Sequence, residues 1–264
     1  MTHDNIIDID MLPEPKRLML AGDWHHDTSI ATRTIEQAAE MEVDTILQLG
    51  DLGFWPERPD VGPGFMTTLA THLMYFGVRM FWVDGNHEDH RLLNPGSGTG
   101  MLRHLPRGFR WDWWGKTWMS VGGGVSVDKK FRTEGFDWFP EETLSATQIR
   151  HCCRPGKVDI IVSHDCPGRV SIPGLKYGVY PADAIADSEA HRGVIDGICD
   201  VTRPEWLFHG HYHVFYGTKV DDLNVVGLAD SRAKGNAMVV TREDFGSGSS
   251  VDGDLDRKLI PLAR

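Results

Sequence analysis

The sequence has little positive charge for its size. Its 264 residues include 27 Lys and Arg against 38 Asp and Glu, a formal charge of −11 with histidine neutral. A non-specific binder of nucleic acid or of an anionic membrane needs clustered Lys and Arg, so we expect neither a stable nucleic-acid complex nor membrane binding. No stretch approaches the roughly 20 apolar residues that span a bilayer. If several Asp residues hold divalent cations, the loaded protein is less acidic than this count.

Cysteine is also scarce, with four residues and none of the paired spacing that holds a structural metal. Cys152 and Cys153 are adjacent and Cys166 and Cys199 are isolated, and we interpret all four as idle thiols in a reducing cytosol. The stretch MTHDNIIDIDMLPEPK has acidic residues and no basic start before an apolar core, unlike a signal peptide. These observations predict a cytoplasmic protein.

Hydrophobic residues make up 41% and charged residues 25% of the chain, as in an ordinary globular protein. In the first third, apolar runs of strand length alternate with segments of helical composition. The predicted strands are 17–23, 44–51 and 78–87, and the predicted helices are 28–43 and 64–77. This order implies right-handed crossovers and a parallel sheet that is covered on both faces.

The middle of the chain, 109–128, is aromatic and β-branched and predicts antiparallel strands. Its four tryptophans could form a stacking platform for bases, but large aromatic side chains mostly pack, so we expect them in the core. They are Trp111, Trp113, Trp114 and Trp118.

The second half continues as an α/β pattern. We predict strands at 159–165 and 205–213, a helix near 181–200, and further strands to about 242. The Gly/Ser/Asp-rich segment 246–264 predicts a mobile tail. With no internal repeat and no convincing linker, residues 1–264 are predicted to form one domain whose core covers about 17–240.

Side chains with metal-binding chemistry follow five of the predicted strands. They are Asp23 and His25, then Asp51, then Asn86 and His87, then His164, and last His211 and His213. In an open α/β sheet, ligands bind outside the carboxyl ends of the strands, so these groups should meet at one site. Any one of them alone would be a capping carboxylate or a satisfied core histidine. Five in order, each after an apolar run, are poorly explained by coincidence.

The residue types limit what this site could hold. Imidazole and carboxylate together suit first-row cations such as manganese, iron or zinc, and the absence of thiolate excludes a structural cysteine-type zinc site. The number of ligands exceeds one tetrahedral shell and favours two ions bridged by a carboxylate. In extended chain, residues two apart face the same side, so we expect Asp23 with His25, and His211 with His213, to face the site together.

The ordered motifs GDWH, GD, GNHE, SHD and GHYH resemble those of the calcineurin-like metallophosphoesterase family, and the resemblance covers about residues 17–240. It implies an α/β fold in four layers, αββα, with two mixed β-sheets flanked by helices. It also implies a ligand set for each of two ions. The first ion would be held by Asp23, His25, Asp51 and His213, and the second by Asp51, Asn86, His164 and His211. Asp51 would bridge them.

The resemblance also implies a reaction. Two divalent ions, with manganese expected and iron, zinc or nickel as alternatives, would clamp a phosphoryl group and supply a bridging hydroxide for in-line attack on phosphorus. His87, which holds neither ion, would protonate the leaving oxygen as a general acid. Gly85 would permit a tight turn. Residues 88–90 would begin the next helix, where the helix dipole stabilises acidic side chains.

Departures from the family patterns reduce the number of substrate classes to consider. Phe54 stands where the phosphoprotein phosphatases have a second Asp in their GD motif, which argues against that branch and leaves the partner of His87 undefined. The chain has neither room for the capping domain of the family's DNA-repair nucleases nor a basic stripe. We therefore expect a phosphodiesterase acting on small nucleotide-type diesters, with 2′,3′-cyclic nucleotides as the specific guess. A phosphomonoesterase is the first alternative, and a metal-binding scaffold without catalysis is the second.

Candidate substrate contacts come from residues near the motifs. His26 neighbours His25, and VDKKFRTEG contains three basic residues that could grip a phosphate oxygen of a small phosphoester. They are Lys129, Lys130 and Arg132. The alternative, which the sequence favours, is that these are solvated loop charges. We expect Tyr212 to pack rather than take part in chemistry.

Overall fold

The computed structural model describes residues 12–58, 62–94, 97–176, 178–246, 249–251 and 259. Within them the chain forms two six-stranded mixed sheets packed face to face, with helices on the two outer faces. The predicted four-layer αββα fold is therefore confirmed. Among the described residues, no helix is both long enough and apolar enough to cross a membrane.

The first sheet has the order β12-β1-β2-β3-β5-β4. Its strands are β1 (Leu18–Ala21), β2 (Thr45–Gln48), β3 (Arg79–Trp82), β4 (Gly98–Thr99), β5 (Leu102–His104) and β12 (Ala237–Val240). The four central strands run parallel, and β12 and β4 close the edges in the antiparallel direction. Helices α1 (Thr28–Glu40) and α2 (Gly62–Phe76) supply the crossovers.

The second sheet has the order β10-β11-β9-β8-β7-β6. Its strands are β6 (Arg110–Trp113), β7 (Lys116–Val121), β8 (Ile160–Ser163), β9 (Trp206–His209), β10 (Tyr216–Val220) and β11 (Leu223–Gly227). Strands β11, β9, β8 and β7 are parallel, with an antiparallel strand at each edge. Helices α3 (Ala146–Cys152) and α4 (Ala182–Thr202) cover its outer face.

Alternation along each strand divides the apolar side chains between the layers. On β1, Leu18 and Leu20 point into the core between the sheets, whereas Met19 and Ala21 point toward α1 and α2. Each sheet therefore has helices on one face and the other sheet on its opposite face. The sequence predicted a parallel sheet covered on both faces, and it did not distinguish these two kinds of cover.

The tryptophan-rich hairpin of β6 and β7 lies in the core between the sheets. Trp111, Trp113, Trp114 and Trp118 are 8% exposed or less and pack against one another and Phe245. The prediction that they pack rather than form an exposed stacking platform is confirmed. Aromatic area of this size is more stable buried between two sheets than presented to water.

Most of the predicted tail 246–264 lies outside the described residues, and its predicted mobility stays a prediction. At two described positions the segment contacts the core. The Val251 N–H donates to Asn224 Oδ1 at 3.2 Å, and Leu259 forms a bridge with Met238 on β12.

Candidate metal centre

The candidate site lies where the carboxyl ends of five parallel strands meet. Strands β1, β2 and β3 reach it from the first sheet, and β8 and β9 reach it from the second. All seven predicted metal ligands lie in the loops that leave these strands, and the structure brings all seven together. The apolar runs predicted strands that include the site residues, as in 78–87 and 205–213. The strands end earlier, at Trp82 and His209.

The backbone of these loops is left-handed at the functional positions. The φ angles are 45° at His25, 53° at His26, 52° at Asp51, 69° at His211 and 55° at His213. The expectation that D-x-H and H-x-H lie in extended chain is therefore wrong. Non-glycine residues in this region cost of order 1 kcal/mol each, and such strain concentrates at functional sites.

The first group of candidate ligands contains Asp23, His25 and His213, which place one ligand atom each within 4.8 Å of the others. His213 Nε2 lies 3.0 Å from Asp23 Oδ2 and 3.1 Å from His25 Nε2. Asp51 Oδ2 lies 3.8 Å from His25 Nε2. These four residues are the set that the resemblance assigns to the first ion. His87 also forms such a group with His25 and Asp51, so it is close enough to act as a ligand.

The second group contains Asp51, His164 and His211. His164 Nε2 lies 3.4 Å from Asp51 Oδ1 and 3.1 Å from Asn86 Oδ1. His164 Nδ1 lies 2.8 Å from the Leu49 carbonyl oxygen, which can only accept a hydrogen bond. Nδ1 therefore carries the proton and Nε2 faces the group. This is how metal-binding histidines are commonly oriented.

These residues fit two divalent cations. Carboxylate and amide oxygens converge with imidazole nitrogens at positions that are almost fully buried: Asp23, Asp51 and His164 are at most 1% exposed. Burying such electron-rich atoms against one another is costly unless a cation lies among them. The oxygen and nitrogen donor set suits first-row ions. Asp51 belongs to the second group and also lies 3.8 Å from His25 of the first group, so it could bridge two ions. Burial lowers the pKa of His211 to about 4, which keeps this ring neutral and able to bind a metal.

Without metal, a proton takes the place of one cation. Burial disfavours the charged form of His164, but the Asp51 carboxylate outweighs it and raises the pKa of His164 to about 10. The same contact, against the effect of burial, holds the pKa of Asp51 well below its usual range. Metal binding should therefore release a proton from His164, because only the neutral imidazole is a ligand.

His87 lies at the edge of the two ligand groups. Its backbone N–H donates to Asp51 Oδ1 at 2.8 Å, whereas its imidazole contacts an arginine. Arg132 Nη2 lies 2.7 Å from His87 Nε2, and Nη1 lies 3.1 Å from Nδ1. Arg132 also pairs with Asp128 at 2.8 Å, and its side chain is only 12% exposed. Burial lowers the pKa of His87 to about 4, and Arg132 adds to the shift while Asp51 opposes it. The partner of His87 that the sequence left undefined is therefore the Arg132–Asp128 pair.

A cavity of about 670 Å³ opens from the two ligand groups. Its lining includes some of the predicted substrate contacts and not others. Arg132 lines it, as does Lys176, which sequence reasoning missed because it lies in a loop without a motif. His26 and Lys129 are not among its described lining residues. Lys129 instead pairs with Asp187 on α4, at 2.5 Å. Of the four candidates, Arg132 alone is among the described residues that line this cavity.

Lys130 matches the alternative that the sequence favoured for these charges. Its side chain is 51% exposed and pairs with Asp183 at 2.8 Å. Tyr212 packs against the apolar cluster between the second sheet and its helices, as expected. It also lines the cavity and donates a hydrogen bond to Asp165 Oδ1 at 2.7 Å.

Gly85 is needed for close approach rather than for a turn. A Cβ atom there would lie 2.2 Å from Asp51 Oδ1 and 2.4 Å from the Asp51 nitrogen. Its φ is not among the positive values, so the predicted reason was wrong. Because Gly85 has no side chain, the loop after β3 lies directly against the Asp51 carboxylate.

The sequence suggested that residues 88–90 begin a helix with acidic side chains in its first turn, and the structure differs. The helical turn begins at His90 and is a short 3-10 helix, His90–Leu92. Glu88 is fully buried and accepts hydrogen bonds from the backbone N–H of Gly85 at 2.6 Å and of Gly53 at 3.1 Å. Burial raises the pKa of Glu88 well above its usual range, and the Asp51 charge adds to this. Glu88 thus connects the loop after β2 with the loop after β3.

Behind the site lies a buried charge network that sequence reasoning missed. Asp84, the residue before the GNHE motif, accepts hydrogen bonds from Arg107 Nε at 2.8 Å and pairs with His104 Nε2 at 3.0 Å. His90 Nδ1 lies 3.9 Å from the same carboxylate. Although burial opposes it, Arg107 holds the pKa of Asp84 well below its usual range. A charged residue at the end of an apolar run was the available signal.

We expect the metal-free protein to lose about 2 kcal/mol of stability between about pH 7 and about pH 5 through His90 alone. Burial, followed by the Arg107 charge, lowers the pKa of His90 from 6.5 to about 3. Below pH 6.5 the unfolded chain therefore binds a proton that the folded chain does not bind. Stability from this source is complete above pH 6.5 and is lost as the pH falls toward 3.

Urea unfolding in EDTA at both pH values measures the effect in the wild type and in His90→Gln. The variant should lose about 2 kcal/mol less on acidification, because glutamine does not titrate. His72→Gln, on α2 and away from the network, is the control. An equal pH dependence in all three proteins would contradict the prediction.

Comparison with known proteins agrees with the fold and the motifs. The family model described as calcineurin-like phosphoesterase matches residues 16–215. The TT1561 protein of Thermus thermophilus superposes with a TM-score of 0.56 at 12% identity, over 88% of this chain and 96% of that one. A dimetal phosphatase from Danio rerio superposes with a TM-score of 0.51 at 14% identity, over 86% and 92%. No curated protein matches the sequence.

The structural likenesses are too low in identity to show more than the fold. The family match covers most of the chain, including every motif described above. The chain therefore belongs to the calcineurin-like phosphoesterase family and is a metal-dependent phosphoester hydrolase.

Proposed function

We propose that this protein is a phosphodiesterase that hydrolyses small nucleotide-type diesters, with 2′,3′-cyclic nucleotides among the candidates. The supporting observation is the cavity of about 670 Å³ that joins the two ligand groups to an apolar wall. This volume is in the range of pockets for small organic ligands and exceeds what a free phosphate needs. Val125, Ile172, Leu175 and Tyr180 line it and could contact a base or sugar.

The chain's own residues supply positioning and proton transfer. Two divalent ions, held by the seven candidate ligands, would neutralise the phosphoryl group and supply hydroxide near neutral pH. We propose manganese as the ion, and a cytoplasmic location, on the grounds of ligand type and free thiols. In hydrolysis the bond from phosphorus to the leaving oxygen breaks, and that oxygen takes up a proton. His87, at the edge of the ligand groups, is the proposed donor.

The Arg132 contact sets a condition on this role. A guanidinium at 2.7 Å disfavours the protonated imidazole that a general acid requires. A bound phosphoryl group carries negative charge, attracts Arg132 and raises the pKa of His87. His87 would therefore become an acid only when the substrate is in place. Arg132 would at the same time bind a phosphoryl oxygen.

A phosphomonoesterase is the second candidate, and one observation favours it. Arg132 and Lys176 both line the cavity, and two cations suit a monoester, which carries one more negative charge than a diester. The apolar lining and the volume favour the diester, since a monoester has only one organic group to accommodate.

Turnover of bis-p-nitrophenyl phosphate and of p-nitrophenyl phosphate, measured in Mn²⁺, tests the proposal. We expect a higher kcat/KM for the diester, followed by turnover of 2′,3′-cyclic nucleotides. Preference for the monoester would identify a phosphatase. Bound metal with turnover of neither ester would contradict both and support a scaffold without catalysis.

Arg132→Met is expected to lower kcat/KM by about 10–100-fold, because a charge-assisted hydrogen bond to phosphate contributes about 1.5–3 kcal/mol. The loss should be larger for the monoester. The control is Lys130→Met, which removes an exposed cation from the same segment. Kinetics of the two variants on both esters make the comparison. Equal activity of Arg132→Met and Lys130→Met would exclude Arg132 from substrate binding.

A further inference from the structure

Asn86 is the only candidate ligand whose two ends are chemically different, and its orientation decides whether it can bind a cation. The amide oxygen has lone pairs to donate, whereas the amide nitrogen does not bind metal ions in its neutral form. In the structure Oδ1 faces the second ligand group, 3.1 Å from His164 Nε2. Nδ2 faces away and donates to Ser126 Oγ at 3.0 Å.

Ser126 is itself held by a buried carboxylate. Its hydroxyl donates to Glu142 Oε2 at 2.6 Å, and its backbone N–H donates to Glu142 Oε1 at 2.9 Å. Ser126 and Glu142 are both 1% exposed. Burial raises the pKa of Glu142, and the two bonds from Ser126 oppose that rise.

The polarity of these bonds fixes the amide. Glu142 accepts from both the backbone N–H and the hydroxyl of Ser126, so this hydroxyl gives its single proton to Glu142. The hydroxyl oxygen is then left with lone pairs and can only accept from its other neighbour. Asn86 must therefore present its NH₂ group to Ser126 and its carbonyl oxygen to the ligand group.

The run of three glycines at 122–124 explains how Ser126 comes so close. A Cβ atom at Gly124 would lie 3.1 Å from His164 Cδ2 and 3.3 Å from Asn86 Oδ1. These distances are shorter than ordinary van der Waals contact. The glycine backbone lets the segment after β7 pass against the second ligand group. The Gly124 N–H donates to the Glu142 carbonyl oxygen at 3.1 Å, which joins the two segments.

Glu142 is anchored in turn from the other side. Arg107 Nη2 donates to its carbonyl oxygen at 3.0 Å, and Arg107 also pairs with the buried Asp84. The backbone that carries this carboxylate is therefore fixed by the network behind the site. The series of hydrogen bonds from Asn86 through Ser126 to Glu142 therefore has little freedom to rearrange.

We propose that Ser126 and Glu142 are positioning residues that hold the Asn86 carbonyl oxygen toward the second metal ion and so set the affinity for that ion. The inference rests on the proposed dinuclear site. Residues that orient a metal ligand in this way typically contribute about 10–100-fold in metal affinity. Ser126 lines the cavity, but in this role it acts through Asn86, as Glu142 does.

Two variants remove the orientation in different ways. Ser126→Ala deletes the acceptor of Nδ2, which leaves the amide free to rotate. Glu142→Gln keeps the shape but can direct an NH₂ group at the hydroxyl. The hydroxyl proton then points at Asn86 and favours the rotated amide. Ser120→Ala is the matched control, since Ser120 is also fully buried and its hydroxyl donates to the Pro106 carbonyl oxygen, away from Asn86.

Calorimetric titration of the EDTA-stripped proteins with Mn²⁺ measures the two binding steps separately, and melting of the metal-free forms measures folding. We expect two ions in the wild type and in Ser120→Ala. In Ser126→Ala and Glu142→Gln we expect a second ion bound about 10–100-fold more weakly and a first ion unchanged.

Three outcomes would overturn the inference. Wild-type affinity for both ions in Ser126→Ala and Glu142→Gln would show that the amide needs no such support. Equal weakening of both ions would indicate general damage. Fewer than two ions in the wild type would remove the dinuclear site and this inference with it. Two ions with this pattern but no phosphoester turnover would leave the inference standing and contradict the proposed function alone.

Discussion

Asp51→Asn is expected to prevent two ions from binding together and to lower kcat/KM by about 10³-fold or more. A metal ion contributes several kcal/mol to transition-state stabilisation, and each step of about 1.4 kcal/mol changes the rate tenfold. Asp51 lies between the two ligand groups, with Oδ1 3.4 Å from His164 Nε2 and Oδ2 3.8 Å from His25 Nε2. Asparagine keeps one oxygen, which can still accept the His87 N–H, but it loses the charge and the second oxygen. It cannot bridge.

Metal content at Mn²⁺ concentrations that saturate the wild type, measured together with diester kinetics, tests this prediction. The matched control is Asp159→Asn. Asp159 is also buried and accepts the Thr117 N–H, but it precedes β8 and so lies at the opposite end of that strand from the site. We expect the control to bind two ions and to keep its activity. Two tightly bound ions in Asp51→Asn would show that this carboxylate does not bridge.

His87→Ala is expected to lose about 10²–10⁴-fold in kcat on diesters with a poor leaving group, such as a nucleoside alcohol, because a general acid contributes that much. The loss should be much smaller with p-nitrophenol as the leaving group, since this phenolate departs without a proton. Metal content should not change if His87 holds neither ion. The assay compares a cyclic nucleotide with bis-p-nitrophenyl phosphate and includes metal analysis.

The same variant separates two roles that the geometry allows for this histidine. His87 is close enough to His25 and Asp51 to act as a ligand, and close enough to Arg132 to exchange contacts with a phosphoryl group. Loss of metal together with equal rate losses on both substrates would make it a ligand. His72→Ala, on α2 and outside the described cavity lining, is the control for removing a histidine.

The family, the fold class and the grouping of seven candidate ligands could be anticipated from the sequence, for a physical reason. Parallel strands have their carboxyl ends at one edge, so polar residues placed directly after successive apolar runs must meet there. Residues such as Asp23 and His164 could therefore be assigned to one site although they are far apart in the sequence. Strand ends were less accurate: the predicted strand 78–87 continues past Trp82, where β3 ends, because the end of a strand depends on its neighbour in the sheet.

The partners of those residues could not be anticipated. Glu88 looked like an acidic helix start, but it is buried and accepts two backbone N–H groups from different strand exits. Arg132 looked like a solvated loop charge, but the fold brings it to His87 across 45 residues of sequence. A local pattern contains no information about which distant group satisfies a buried charge. That depends on how two sheets pack.

The sequence by itself determined the chemistry of this protein. It supplies oxygen and nitrogen ligands without thiolate, and it places them directly after five strands in the order of the family's motifs. Tertiary structure alone decided the geometry that makes the chemistry usable. It set the left-handed backbone at His25 and His213, the close approach at Gly85, and the chain from Glu142 through Ser126 to Asn86. Ligand identity depends on residue type, which the sequence states directly. Ligand orientation depends on contacts between segments distant in sequence, which exist only after folding.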